Sequence, residues 1–320
     1  MSRLPAAIDA KLRLPVVCAP MFLVSGPELV LAACRAGIVA GLPAANAHTS
    51  EEFAEWMDRL SGELAAAPDA APLAVNIATP KFGGKRWPAD MAIVEKHRPA
   101  IVITAIGDPV EVVKVVHGYG GIVLHDATTI AHARKAVESG VDGLNLVCGG
   151  AGGHAGVLNP FTFVPQVRRF FDGVICLAGA MADGRSVRAA QLLGADLVYM
   201  GTRFIATQES RAHAEYKQLI VDQQSSDVLY TPAISGIPAS WMRGGLLRVG
   251  LQPDALPALK GPMTPDLPEG LRPWRDVWSA GQAVGAIDDL PTVGGLVDRL
   301  AAEYAAACRE TPASYPVTCA

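Results

Sequence analysis

Eight short apolar runs, each followed by a segment with helix signals, predict an α/β chain folded as a TIM (β/α)8 barrel. A change of pattern after Gly201, into a Pro- and Gly-rich stretch, predicts a smaller, mainly helical lobe inserted over one barrel end. The expected organisation is a barrel over 1–210 and 276–320, with a lobe or lid over 211–275. A doubly wound open sheet shares this alternation, but eight units in succession favour closure.

The strands come in order as "VVCAPM" (16–21), "IVAGLP" (38–43), "LAVNI" (73–77), "AIVITA" (100–105), "GIVLHD" (121–126), "GLNLVC" (143–148), "GVICLAG" (173–179) and "LVYMG" (197–201). They are near-continuously apolar, as parallel strands covered on both faces must be. Helix punctuation lies between them. Thr49 with Glu52 reads as a capping box before "EEFAEWMDRL", and Asp108, Pro109 and Glu111 open the next helix. Thr128 starts and Gly140 stops "TIAHARKAVES"; Asp183 starts and Gly194 stops "GRSVRAAQLL". The tail from Val277 returns to helix and is expected to pack back on the barrel.

Composition narrows the function. Half of the 320 residues are hydrophobic and 18% are charged, so a sizeable core is available. A net charge of −4 and the lack of a Lys/Arg cluster argue against nucleic acid as a partner. The cysteines, at 18, 34, 148, 176, 308 and 319, form no C-x-x-C pair, and no metal site is expected. The N-terminus lacks a signal-peptide core. The most apolar region, 29–47, is interrupted by Arg35, Gly37, Gly41, Pro43 and Asn46. A cytoplasmic protein without a membrane partner is therefore expected.

In a barrel, chemistry gathers where strands end. After the first strand stand Ala19, Pro20 and Met21, with Met21 either a core residue or a shelf beside a ring system. Asn76, a polar group in the third strand, must bond either a neighbouring strand or a ligand's edge. The fifth strand ends in His125 and Asp126, where His125 reads as a satisfied core residue or a partner of the site. Gly179-Ala180 and Gly201-Thr202 are tight turns or, taken together one strand apart and each before a helix, a phosphate grip. The sixth strand runs into "GGAGGHAG", whose glycines let backbone approach a ligand and leave His154 few neighbours. Histidine is the natural general base near neutral pH. No G-x-S-x-G, H-E-x-x-H, P-loop lysine or carboxylate pair is present, and the glycines follow the wrong strand for a dinucleotide fingerprint.

These residues, in this order, resemble the nitronate monooxygenase family, formerly called 2-nitropropane dioxygenases: "APM", Asn76, "GGAGGHAG", "AGAMADG" and "MGTRFIAT", with a similar tail in "WSAGQAVGAI". The resemblance implies a barrel with a helical substrate lobe and one non-covalent FMN. It implies phosphate at Gly179, Ala180, Gly201 and Thr202. It implies an isoalloxazine lined by Ala19, Pro20, Met21, Asn76, Gly152 and Gly153, with His125 and Ala178 completing the cofactor set. His154 matches the family's catalytic histidine, as a base toward a neutral nitroalkane or a cationic partner of nitronate oxygens. The implied partners are an alkyl nitronate or nitroalkane and O2, giving a carbonyl compound and nitrite; a monomer or homodimer stays open. The chain departs from relatives at Ala178-Gly179-Ala180, where a Ser-Gly-Gly-like turn is common. It departs again at Asp126, where some carry Lys, and in the bulky first loop "MFLVSGPEL". NAD(P)H-dependent quinone or enoyl-acyl-carrier-protein reductases share the scaffold and the histidine. A colourless sugar-phosphate barrel and a binding-only barrel are the non-redox alternatives.

Overall fold

The computed structural model describes residues 2–261 and 263–310. Among the described residues there are eleven strands: β1 (Val16–Cys18), β2 (Val39–Pro43), β3 (Leu73–Ala78), β4 (Ile101–Ala105), β5 (Ile122–Ala127), β6 (Gly143–Val147), β7 (Gly153–His154), β8 (Val174–Ala178), β9 (Leu197–Met200), β10 (Val228–Thr231) and β11 (Ala239–Met242). Eight of them, β1 to β6 with β8 and β9, close a parallel barrel. Closure is made by β1 on β9, where Val16 pairs with Val198 and Cys18 with Met200. These are the eight runs expected from the sequence, in the same order. The first ends at Cys18 rather than Met21, because Pro20 has no N–H and Met21 N–H donates to Ser25 Oγ.

Alternation along each strand builds two cores. Val17, Val39, Ala74, Ile101, Ile103, Leu124, Val174, Cys176 and Leu197 fill the lumen, and Leu4 and Ile8, the latter on α1 (Ala6–Asp9), pack with them. Their neighbours in sequence, among them Val16, Cys18, Val102, Val123, Ile175 and Val198, face the helices. The outer ring is α2 (Pro27–Arg35), α3 (Ser50–Ala65), α5 (Trp87–His97, after the single turn α4, Pro80–Gly83), α6 (Val110–Gly118), α7 (Ile130–Glu138), α8 (Pro160–Arg168) and α9 (Gly184–Leu193). After β9 comes only one turn, α10 (Thr202–Ile205). Then follow α11 (Ala214–Asp222) and α12 (Arg243–Arg248) of the insert, and α13 (Val293–Arg309) fills the eighth place beside α9 and α2.

Several expectations need correction. The cap of α7 is Thr129, not Thr128: Thr129 is extended and its hydroxyl accepts from His132 N–H, while Thr128 bonds the His132 ring. At α3 Thr49 accepts from Glu52 N–H, but the Glu52 carboxylate takes the N–H of His48, one residue early for a capping box. Asp183 and Ser186 do form a capping box on α9, and Gly194 closes that helix in the left-handed conformation. Cys18, Cys148 and Cys176 are buried as expected; Cys319 lies outside the described residues.

The insert holds the expected helical stretch as α11, a short helix α12 within the Pro- and Gly-rich part, and also a sheet that helical periodicity could not reveal. β10, β11 and β7 form three antiparallel strands. Its core, Ile234, Trp241, Leu246 and Val277, extends beyond residue 275, and Trp278 stacks on Tyr216 with ring centroids 5.0 Å apart.

Candidate functional site

A cavity of about 1280 Å³ opens at the C-terminal ends of the barrel strands, beneath the lobe. All thirteen residues singled out from the sequence line it. Around it the chain is pinned in ways that sequence reading missed. Asn46 donates to the carbonyls of Met21 (2.9 Å) and Ser25 (2.7 Å), and accepts from Leu23 N–H (2.8 Å). These bonds fix the loop that carries Ala19, Pro20 and Met21. Gly41 lets β2 approach that loop, since a Cβ there would stand 2.6 Å from Pro20 Cδ.

On β3, Asn76 donates to the Ile103 carbonyl of β4 at 3.3 Å, and it also lines the cavity. His125 is set apart. It alternates with Leu124 and Asp126, so its ring points to the helix layer, where Nδ1 meets Thr104 Oγ1 at 2.8 Å. Burial pushes it down to about 4, so it is neutral near pH 7. The cavity lining also includes Pro109, His132, Lys135 and Ser139. Asp126 faces inward and takes a hydrogen bond from Asn145 Nδ2 at 2.8 Å.

The ends of β8 and β9 carry backbone donors. Among the described residues no acceptor is paired with the amides of Gly179, Ala180 or Gly201. Ala180 is left-handed at φ 55°, a conformation costing a non-glycine residue about 1 kcal/mol. Thr202 Oγ1 accepts from Gly281 N–H at 2.9 Å, which leaves its own proton free to donate. The helix contribution expected here is small. The N-terminus of α9 is already served by Asp183 and by Glu303, which takes Gly184 N–H, and α10 is a single turn. The donors are therefore those of the turns.

The glycine stretch is packed rather than open. A Cβ on Gly152 would lie 2.9 Å from Gly281 N, one on Gly156 2.5 Å from Thr128 O, and one on Gly150 3.0 Å from Gln282 Oε1. Only at Gly153 (φ +67°) would a Cβ meet nothing within 4 Å. The stretch is clamped to the segment 279–282. Gly153 N–H donates to Ser279 Oγ (2.8 Å) and Gln282 N–H to Gly150 O (2.9 Å), while from β11 Ser240 Oγ donates to Ala151 O (2.7 Å). Tyr216 Oη bonds Ser279 O below.

His154 belongs to the lobe sheet, opposite Ala239 of β11. Its ring meets Trp274 edge-on at 4.9 Å, and Nε2 lies 3.5 Å from Ser235 Oγ. Burial lowers its pKa below the usual imidazole value, so the neutral ring is favoured. Neither Ser235 nor Trp274 had a periodic or motif signal; both come from the Pro- and Gly-rich lobe.

A family model described as nitronate monooxygenase matches residues 72–303. A nitronate monooxygenase of Paraburkholderia phytofirmans is 25% identical over 94% of this chain and 89% of that protein. A "(3aS,4S,5R,7aS)-5-hydroxy-7a-methyl-1-oxo-octahydro-1H-indene-4-carboxyl-CoA dehydrogenase" of Rhodococcus jostii is 27% identical over 90% of this chain and 92% of its own length. Among solved structures, nitroalkane oxidase from Streptomyces ansochromogenes superposes with a TM-score of 0.77 at 25% identity, covering 95% of this chain and 99% of that one. With a closed barrel, a histidine at its mouth and a family match over most of its length, the chain belongs to the nitronate monooxygenase family of flavin-dependent oxidoreductases.

Proposed function

We propose that the protein binds FMN non-covalently and oxidises alkyl nitronates with O2 to a carbonyl compound and nitrite, with 211–275 as its substrate lobe. The observation that carries this reading is His154, an uncharged histidine held by Ser235 and Trp274 on the lobe side of the cavity.

The residues fit FMN. The amides of Gly179, Ala180 and Gly201 without an acceptor, and the free proton of Thr202, are the donors a phosphate needs. A Cβ on Gly201 would sit in van der Waals contact with Met21 Sδ (3.5 Å) and Ala19 Cβ (3.8 Å), so this strand end packs against the segment that carries Ala19 and Met21. Asn76, Asp126 and Tyr199 give the cavity a polar floor. FMN, when bound, supplies the electron-transfer chemistry that a nitronate and O2 require.

The chain's own part is position and proton control. Ser235 Oγ–H donates to the Ile237 carbonyl at 2.8 Å, so toward His154 the serine acts as acceptor. The tautomer that matches this contact has its proton on Nε2 and its lone pair on Nδ1. Nδ1 is the atom that takes a proton from the carbon beside a nitro group. The lobe residues Tyr230, Ile237, Pro238 and Trp274 line the cavity on the side of the histidine.

A second reading, NAD(P)H-dependent reduction of a quinone or an enoyl thioester, is favoured by cavity size. About 1280 Å³ exceeds the ~300–1,000 Å³ of ordinary small-molecule sites, which leaves room for a second extended ligand.

One experiment separates the readings. The purified protein is expected to be yellow and to release FMN on denaturation; a colourless protein removes both. Anaerobic mixing with a nitronate should bleach the flavin while NADH leaves it oxidised. Fast bleaching by NADH, and none by nitronate, selects the reductase.

A further inference from the structure

The lumen floor holds a polar pair that the reaction above does not use. Asp126 on β5 and Asn145 on β6 are direct neighbours in the ladder, and Asn145 in turn pairs with Cys176 of β8. Asn145 is fully buried. Its Nδ2 donates to Asp126 Oδ1 at 2.8 Å, while its Oδ1 has no hydrogen-bond partner among the described residues. Buried acceptors of this kind are rare because the lost hydration is not replaced. An ionised Asp126 only accepts and cannot serve that oxygen. A protonated Asp126 supplies one donor, on the side chain already bonded to the same amide.

The surroundings favour the proton. The titratable groups facing the carboxyl are Cys176 of β8 and Tyr199 of β9, both kept protonated by burial. From β4 come only Ile103 and Ala105. His125 stands on the opposite face of its own strand, and no Lys, Arg or His acts on the carboxyl. Desolvation pushes Asp126 up to about 7, against the lowering pull of the Asn145 Nδ2 hydrogen bond. The carboxyl is half-buried and lines the cavity.

We propose that on the acid side of neutrality Asp126 is a neutral carboxylic acid, accepting from Asn145 Nδ2 and sharing its proton with Asn145 Oδ1, and that loss of this proton to solvent as the pH rises puts one negative charge beneath the cavity floor. Asp126 is then a positioning residue for charge. It acts through its field on whatever ring lies above, and in its ionised form it opposes electrons arriving there. The protonation assignment stands on these residues alone; its effect on a flavin rests on the FMN reading.

The test compares wild-type holoprotein with Asp126→Asn, whose amide keeps both bonds to Asn145 and cannot ionise. The midpoint potential of the bound flavin is measured from about pH 6 to about pH 9. The two lines should coincide at the acid end, and the wild type should fall increasingly below the variant above neutrality. Parallel lines over the whole range overturn the proposal. If the variant does not fold, infrared difference spectra of the wild type decide instead. One protonated carboxylic acid band should disappear as the pH rises through neutrality, and a spectrum without it overturns the assignment. A protein that binds no flavin defeats the FMN reading, yet the infrared measurement still decides the state of Asp126.

Discussion

His154 pairs with Ala239 across β7 and β11, so the histidine at the cavity is held by the lobe and not by the barrel. The barrel supplies the glycines that lead to it, and the lobe supplies Ser235 and Trp274 around its ring.

Replacing His154 with alanine should lower turnover of neutral nitroalkanes by about 10²–10⁴-fold, the usual contribution of a general base. Preformed nitronates, already deprotonated, should lose less, and the flavin absorbance should remain. Because burial lowers the histidine's pKa, the ring stays neutral to below pH 6.5. The acid limb of kcat/KM for neutral nitroalkanes should therefore fall below the free-imidazole value. Equal losses on nitroalkane and nitronate would argue against a base.

Gly152 and Gly153 should respond differently to alanine. At Gly152 the new Cβ meets the backbone of Gly281 at 2.9 Å, so the 279–282 clamp must move. A destabilisation of about 1–3 kcal/mol and a drop in turnover are expected, read by thermal melting and steady-state rates. At Gly153 the space is open, and the penalty comes from φ +67° alone, about 1 kcal/mol. Indistinguishable variants would show that the clamp yields freely.

Ala180 holds a left-handed backbone that glycine adopts without strain. Ala180→Gly should raise stability by up to about 1 kcal/mol, part of the gain being offset by the freer unfolded chain. A lowered melting temperature would mean that the methyl group, which lines the cavity, packs better than the turn is strained.

Asp126 should make stability fall with rising pH. Its folded value, about 7, lies above the ordinary 3.8. Below 3.8 both folded and unfolded chains carry the proton and nothing is lost. Between these values the unfolded chain ionises first, so unfolding is favoured, and the loss is complete above pH 7 at roughly 4 kcal/mol. Asp126→Asn should melt higher than wild type at pH 8 and match it near pH 4. A wild type that gains on the variant with rising pH would contradict a protonated Asp126.

The barrel was legible because its strands are covered on both faces, so each reads as an apolar run. The cavity was legible because barrel function gathers at strand ends, where Ala19, Asn76, Gly179 and Gly201 stand. Other features left no local trace. A two-residue strand such as Gly153–His154 has no periodicity, and its partner β11 lies 85 residues away by the Ala239–His154 pairing. The glycines read as a floor for a ligand, yet most are required by contact with 279–282, a pairing only the folded chain displays. The tail reads as a helix that packs back on the barrel; its place between α9 and α2 was not legible, because the insert postpones it to Val293.

Since β7 is the third strand of the lobe sheet, the histidine and the strand-end amides have separate mounts. A change in the lobe's length or tilt would carry the histidine with it while the strand-end donors stay where the barrel holds them. Substrate scope could thus drift by remodelling one insert, with the histidine kept in register with whatever new surface it faces.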